Sequence, residues 1–137
     1  MKPLVISFSG GRTSAYMTYL LLDKYEGRRD IIVVFANTGK EREETLQFVH
    51  ECDINYNFKT VWIESVQHHG KRKSAGYRIV TFETANRTGA PFEDMIKKHG
   101  IPNTAFPHCS RELKTYPINN YLKDIGITDY EIALGIS

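Results

Sequence analysis

The chain has 137 residues, of which 41% are hydrophobic, a size and composition typical of one globular domain with its own core. Its 18 basic and 16 acidic residues leave a formal charge of +2, so bulk charge does not indicate a nucleic-acid-binding protein. The chain has only two cysteines, which are widely separated, so neither a disulfide framework nor a zinc site is predicted. It contains no apolar run of about 18 residues, which excludes a membrane span, and we expect a cytoplasmic protein.

The first half of the chain alternates apolar runs with segments of helical periodicity. Residues 4–8 and 31–35 are β-branched and apolar, which is typical of strands buried on both faces. Residues 13–25 and 43–52 place apolar side chains at helical spacing, and residues 58–63 form a third strand-like run. This order predicts a parallel sheet that is covered by helices and joined by right-handed crossovers.

The second half has weaker patterns. Residues 64–90 are polar and uneven, and only 77–82 within them resemble a strand. Helices are predicted over 91–99 and 117–125, because each of these segments begins with a proline. The last strand is predicted at 130–134. Together the elements predict an α/β fold in a single domain, with an open, mostly parallel sheet and helices on both faces.

A glycine-containing loop, Ser9-Gly10-Gly11-Arg12-Thr13-Ser14, joins the first predicted strand to the first predicted helix. Glycines let the backbone approach a phosphate closely, and a helix N-terminus offers unpaired N–H groups and a partial positive charge. The hydroxyls and the arginine add donors, so the loop predicts a phosphate-binding site. The same residues would also suit a plain glycine turn in which Ser9 or Thr13 caps the helix. Their spacing fits neither the Walker pattern nor the dinucleotide fingerprint.

Four segments in this order resemble the phosphoadenosine phosphosulfate (PAPS) reductase family of the adenine nucleotide alpha hydrolase superfamily. The loop at 9–14 is similar to the PP-loop of that superfamily, and residues 33–41, with 44–46 downstream, are similar to the family's second-strand segment. The other two matches are residues 109–114 with Pro117, and residues 134–136. The resemblance implies a Rossmann-like three-layer α/β/α fold and a ligand such as PAPS, adenosine phosphosulfate or ATP.

The resemblance also implies a role for each matched residue. Phosphate or phosphosulfate would be bound by Ser9, Gly10, Gly11, Arg12, Thr13, Ser14, Arg111 and Lys114. Adenine would be bound by Phe35, Ala36, Asn37, Thr38, Gly39, Gly135 and Ile136. We expect the loops at 9–14, 36–39 and 135–137 to meet at the carboxyl ends of the first, second and last strands. Without the resemblance, Arg111 and Lys114 would equally suit a solvated helix face.

Three positions depart from the family patterns. Thr13 stands where ATP pyrophosphatases of the superfamily carry aspartate, which argues against magnesium-dependent ATP cleavage. Ser110 replaces the second of two adjacent cysteines that hold an iron-sulfur cluster in some members, so no cluster and no other metal site is predicted. Ser137 replaces the arginine that follows Gly-Ile in the family.

The catalytic residue stays unassigned. The reductases attack the sulfonucleotide with a cysteine near the C-terminus, because a thiolate is the nucleophile that this chemistry requires. No cysteine follows Cys109, which is itself a weak candidate because free cysteine is more often a buried apolar residue. We therefore expect the chain to be a fragment or a degenerate relative that lacks the C-terminal part of the family fold.

Three functions remain open at this point. The leading hypothesis is a PAPS reductase-family domain that binds an adenylated sulfate or ATP, with a thioredoxin-like electron donor in a full-length relative. The second is an ATP pyrophosphatase that adenylates a substrate and uses magnesium. The third is a non-catalytic module that binds a nucleotide or a partner protein. A homo-oligomer is compatible with all three.

Overall fold

A computed structural model describes residues 2–67, 75–100 and 111–134 of the chain. The helices and strands of these residues are, in chain order, β1 (Leu4–Ser7), α1 (Arg12–Lys24), β2 (Ile31–Asn37), α2 (Glu43–Tyr56), β3 (Val61–Val66), β4 (Gly76–Val80), α3 (Ala90–His99), a π-helical turn (Arg111–Thr115), α4 (Tyr116–Asp124) and β5 (Glu131–Leu134). None of the helices in these ranges combines the length and the hydropathy needed to span a bilayer.

The five strands form one sheet in the order β4-β3-β2-β1-β5. β1 runs parallel to both β2 and β5, whereas β4 pairs antiparallel with β3. The predicted open, mostly parallel α/β sheet is therefore confirmed.

Where α2 ends and β3 begins, the structure differs from the prediction by three to four residues. α2 continues to Tyr56, four residues beyond its predicted end at residue 52, and stops where Asn57 adopts a left-handed conformation. β3 begins at Val61 instead of residue 58, because Lys59 also has a positive φ of 53°. A left-handed residue interrupts both the helical and the extended backbone, so the pair of them separates α2 from β3.

The chain divides into two compact units. The first comprises Met1–Phe35, Arg42–Val61 and Ile127–Ser137 and contains β1, β5 and residues 31–35 of β2. In its core, consecutive residues of both central strands are buried, as predicted for strands covered on two faces. The residues concerned are Leu4, Val5, Ile6, Val33, Val34 and Phe35. Leu46 and Val49 of α2 add to this core, and the rings of Phe8 and Phe58 meet edge to face at 5.8 Å.

The second unit comprises Ala36–Glu41 and Trp62–Gly126. Its core includes residues of β3, α3, the π-helical turn and α4, among them Trp62, Ile63, Met95, Leu113, Ile118 and Leu122. Tyr77 of β4 packs edge to face against Tyr121 of α4 with ring centroids 5.5 Å apart. The amide of Asn120 donates to the carbonyl oxygen of Ala75 at 2.7 Å, which ties α4 to the start of β4.

Candidate functional site

The glycine loop (residues 9–14) begins directly after the first strand. The backbone N–H of Phe8 donates to the carbonyl oxygen of Val34 at 2.8 Å, so the chain stays in the sheet up to this residue. Gly10 then turns the chain with a φ of +86°, and a Cβ built there would lie 2.7 Å from Cγ2 of Thr45 and 3.3 Å from the ring of Phe35. Glycine is therefore required at position 10, both for its conformation and for the close approach of the loop to α2.

The N-terminus of α1 is open. Its N-cap is Gly11, and no side chain of the described residues caps it by a hydrogen bond. The alternative of a plain turn capped by Ser9 or Thr13 is therefore wrong for this helix. The first turn also carries no acidic residue. Backbone N–H groups at the start of a helix have no intrahelical partner, so this end offers donors and a partial positive charge to an anion.

Two serines close the loop. The backbone N–H of Ser9 donates to Oγ of the fully buried Ser14 at 3.1 Å, and the hydroxyl of Thr18 donates to the carbonyl oxygen of Ser14 at 2.8 Å. The Oγ atom of Ser9 is also buried, and nothing in the part of the chain that the structure describes forms a hydrogen bond with it. A buried hydroxyl without a partner costs about 1–3 kcal/mol, so this atom is a candidate ligand contact.

The glycine loop also presents two exposed side chains, those of Arg12 and Thr13. The guanidinium of Arg12 stands on the first residue of α1, where its charge adds to that of the helix end. It can donate two parallel hydrogen bonds to a phosphate or sulfate group.

The turn at 37–39 is held by side chains of its own unit. Asn37 is fully buried, and its amide donates to Oε2 of Glu64 at 2.7 Å and to the carbonyl oxygen of Asn86 at 2.9 Å. Its Oδ1 accepts from the backbone N–H of Gly39 at 3.2 Å, and Oγ1 of Thr38 accepts from that of Lys40 at the same distance. The side chain of Asn37 is therefore occupied by structural bonds, and Thr38 is the least buried residue of the turn.

The family-like segment at 109–114 lies partly within the described residues. Lys114 belongs to the π-helical turn and is exposed. The turn is anchored at Glu112, whose carbonyl oxygen accepts from Oγ of Ser65 at 2.9 Å and from Nε2 of Gln67 at 3.5 Å. The side chain of Arg111 lies outside the described part, as do Cys109, Gly135 and Ile136. In residues 2–67, 75–100 and 111–134, no three metal-ligating side chains form a group that could hold an ion.

Glu64 and Asn86 were not among the residues predicted to matter. Glu64 is 1% exposed and accepts hydrogen bonds from three different residues, and Asn86 donates one of them through its backbone N–H. The signal in the sequence was a single acidic residue within the apolar run Val61-Trp62-Ile63-Glu64-Ser65-Val66. Acidic residues are rarely buried unless they are paired, so such an interruption indicates either a polar network or a functional residue.

Comparison with known proteins gave one family and several relatives. Residues 3–131 match the model of the phosphoadenosine phosphosulfate reductase domain. An "Uncharacterized nin region protein ORF290" from Escherichia phage lambda is 32% identical over 136 residues, which are 96% of this chain and 47% of that protein. An "Uncharacterized protein MJ0066" from Methanocaldococcus jannaschii is 29% identical over 139 residues, 95% of this chain and 24% of that protein. The chain thus spans half or less of the length of these relatives. No solved structure matches it.

Proposed function

The chain belongs to the phosphoadenosine phosphosulfate reductase domain family, and from this premise we propose that it binds an adenine nucleotide through the glycine loop. One observation carries the proposal. The buried hydroxyl of Ser9, which has no partner among the described residues, lies in the same loop as the uncapped N-terminus of α1. A phosphate or sulfate group would accept from both and would meet the exposed guanidinium of Arg12.

The ligand class is an adenylated sulfate or ATP. The loop supplies backbone N–H groups, hydroxyls and one cation, a donor set that suits the oxygens of a pyrophosphate or phosphosulfate group. We assign the adenine to the backbone of Phe35 and of the 36–39 segment, together with Gly135 and Ile136, and further negative charge of the ligand to Arg111 and Lys114. The engagement of the Asn37 side chain in internal bonds supports a backbone role for its segment.

The test is titration calorimetry of the chain with PAPS, adenosine phosphosulfate and ATP, repeated on Gly11→Asp. Gly11 has a φ of −92° and a ψ of 164°, which aspartate adopts readily, and aspartate is a favourable N-cap residue. The new carboxylate would accept hydrogen bonds from the free N–H groups at the start of α1, which stabilises the helix, and its charge would repel a phosphate group. We expect affinity to fall by more than about tenfold without a loss of thermal stability.

Gly27→Asp is the matched control, because it adds the same charge where a Cβ would meet only open space among the described residues. We expect its affinity to stay within about twofold of the parent chain, which corresponds to less than about 0.5 kcal/mol. A parent chain that binds none of the three nucleotides, or equal affinity of Gly11→Asp and parent for all of them, would contradict the proposal.

A further inference from the structure

A buried carboxylate lies at the centre of the second unit. Glu64 of β3 is 1% exposed. Its Oε2 accepts from Nδ2 of Asn37 at 2.7 Å and from the backbone N–H of Asn86 at 2.5 Å. Its Oε1 accepts from Nε and Nη2 of Arg78 at 3.2 and 2.9 Å. One side chain thus connects the end of β2, the strand β4 and the loop before α3.

Stability alone does not account for this arrangement. A buried ion pair is often no more stabilising than well-packed apolar residues of the same volume, because the charges must be taken out of water. Arg78 is 54% exposed, which further weakens its attraction for the carboxylate. What the carboxylate provides, and an apolar residue would not, is a directional contact to each of its donors.

These contacts determine the shape of the 37–39 turn. The amide of Asn37 donates to Glu64 and to the carbonyl oxygen of Asn86, and its Oδ1 accepts from the N–H of Gly39. Gly39 has a φ of +84°, and a Cβ built on it would lie 2.6 Å from Oδ1 of Asn86 and 2.8 Å from Cα of Gly89. The turn is therefore packed directly against the backbone of Gly89. The position of that backbone is also held by Asn86, whose Oδ1 accepts from the N–H of Gly89 at 2.9 Å.

We propose that Glu64 is a positioning residue for the nucleotide base: it holds the backbone of the 37–39 turn in the conformation that recognises adenine. The inference rests on the proposed function, which assigns adenine to this segment. Glu64 does not contact the ligand itself, since both of its oxygens are occupied by Asn37, Asn86 and Arg78. Its effect is on the choice of base and not on the phosphates.

The experiment compares ADP, GDP and inorganic pyrophosphate as ligands of the parent chain and of Glu64→Gln. The substitution converts one carboxylate oxygen into an NH₂ group and removes the negative charge. If the NH₂ group faces Asn37 and Asn86 it breaks their contact, and if it faces Arg78 it leaves them a neutral acceptor, which binds about half as strongly as a carboxylate. We expect ADP affinity to fall by about tenfold and the preference for ADP over GDP to fall with it. Pyrophosphate affinity should stay unchanged, which loss of stability alone would not produce.

A second substitution provides a rescue. In Glu64→Gln with Arg78→Gln, the new amide at position 78 can accept from the NH₂ of residue 64, so that the carbonyl of residue 64 again faces Asn37 and Asn86. We expect the double variant to recover the ADP preference to within about threefold of the parent. If Glu64→Gln fails to fold, Gly39→Ala displaces the same turn without altering the carboxylate, and we expect the same selective loss of base preference.

Each outcome has a defined meaning. A Glu64→Gln variant that keeps the parent's ratio of ADP to GDP affinity overturns this inference and leaves nucleotide binding intact. An equal loss of pyrophosphate affinity also overturns it, because the residue would then support the fold as a whole. A parent chain that binds ADP no better than GDP also overturns this inference alone. A parent chain that binds none of PAPS, adenosine phosphosulfate and ATP instead overturns the proposed function, and this inference with it.

Discussion

Oγ of Ser14 accepts a hydrogen bond of 3.1 Å from the backbone N–H of Ser9, on the other side of the two glycines. Ser14 is fully buried in the first turn of α1, so this bond fixes the end of the glycine loop to the helix that follows. The loop is thereby closed by a hydrogen bond between its first and last residues.

Removing that bond should be measurable in the stability of the chain. Ser14→Ala leaves the N–H of Ser9 without its acceptor, and we expect the free energy of unfolding in urea to fall by about 1–2 kcal/mol relative to Thr13→Ala. The comparison with Thr13→Ala, an exposed neighbour on the same helical turn, cancels the gain in helix propensity that alanine brings. Equal unfolding midpoints of the two variants would show that the bond contributes nothing.

Two glycines with positive φ offer a matched pair. In Gly10→Ala the new Cβ would lie 2.7 Å from Thr45, whereas in Gly27→Ala it would meet open space in the described part of the chain. We expect Gly27→Ala to lower the free energy of unfolding by about 1–2 kcal/mol for its backbone conformation, and Gly10→Ala by about 2–4 kcal/mol because steric overlap is added. Similar losses for both would mean that the loop can move away from α2.

The thiol of Cys52 should make stability depend on alkaline pH. Burial, together with the smaller effects of the neighbouring charges of Asp53 and Glu51, raises its pKa from 9.0 to about 11. Since the folded chain binds this proton more tightly than the unfolded chain, the contribution to stability is complete below pH 9 and is lost as the pH rises towards 11. Urea unfolding of the parent and of Cys52→Ala between pH 8 and about 10.5 measures the difference.

Cys52→Ala has no thiol proton, so the difference in the free energy of unfolding between the parent and this variant should become smaller as the pH rises. At pH 8 the native thiol should also react slowly with a disulfide reagent, because the thiolate is the reactive form. A difference in the free energy of unfolding that stays constant across this pH range, or a rapid reaction of the thiol at pH 8, would show that Cys52 is accessible to water.

Asn86 should be among the costlier polar residues to replace. Its Oδ1 accepts from the backbone N–H groups of Thr88, Gly89 and Ala90 at 3.0, 2.9 and 3.1 Å, and so satisfies the start of α3. We expect Asn86→Ala to lower the free energy of unfolding by about 2–3 kcal/mol, whereas Asn55→Ala on the exposed end of α2 should change it by less than about 0.5 kcal/mol. A loss of similar size in both would contradict the role of the Asn86 side chain.

The glycine loop and the alternation of strands and helices could be predicted because their signals are local. A buried strand followed by glycines and a helical period requires only the residues of that segment. The antiparallel pairing of β4 with β3 could not be predicted in this way, because it depends on cross-strand partners such as Ile63 and Ile79. Likewise, the π-helical turn could not be predicted, since the carbonyl of Glu112 is held by Ser65 and Gln67, which are remote in the sequence.

Strand β1 has one neighbour that is close in the sequence and one that is remote. Leu4 faces Ile31 of β2 on one side and Glu131 of β5 on the other. Closing the shorter loop costs less chain entropy, so we expect the β1–β2 pair, with α1 between its strands, to form early and β5 to join last. On the ribosome, the glycine loop is therefore complete before the strand on its other side has been synthesised. The ion pairs Arg29–Glu131 and Lys2–Asp129 then fasten that late strand and the turn that leads into it.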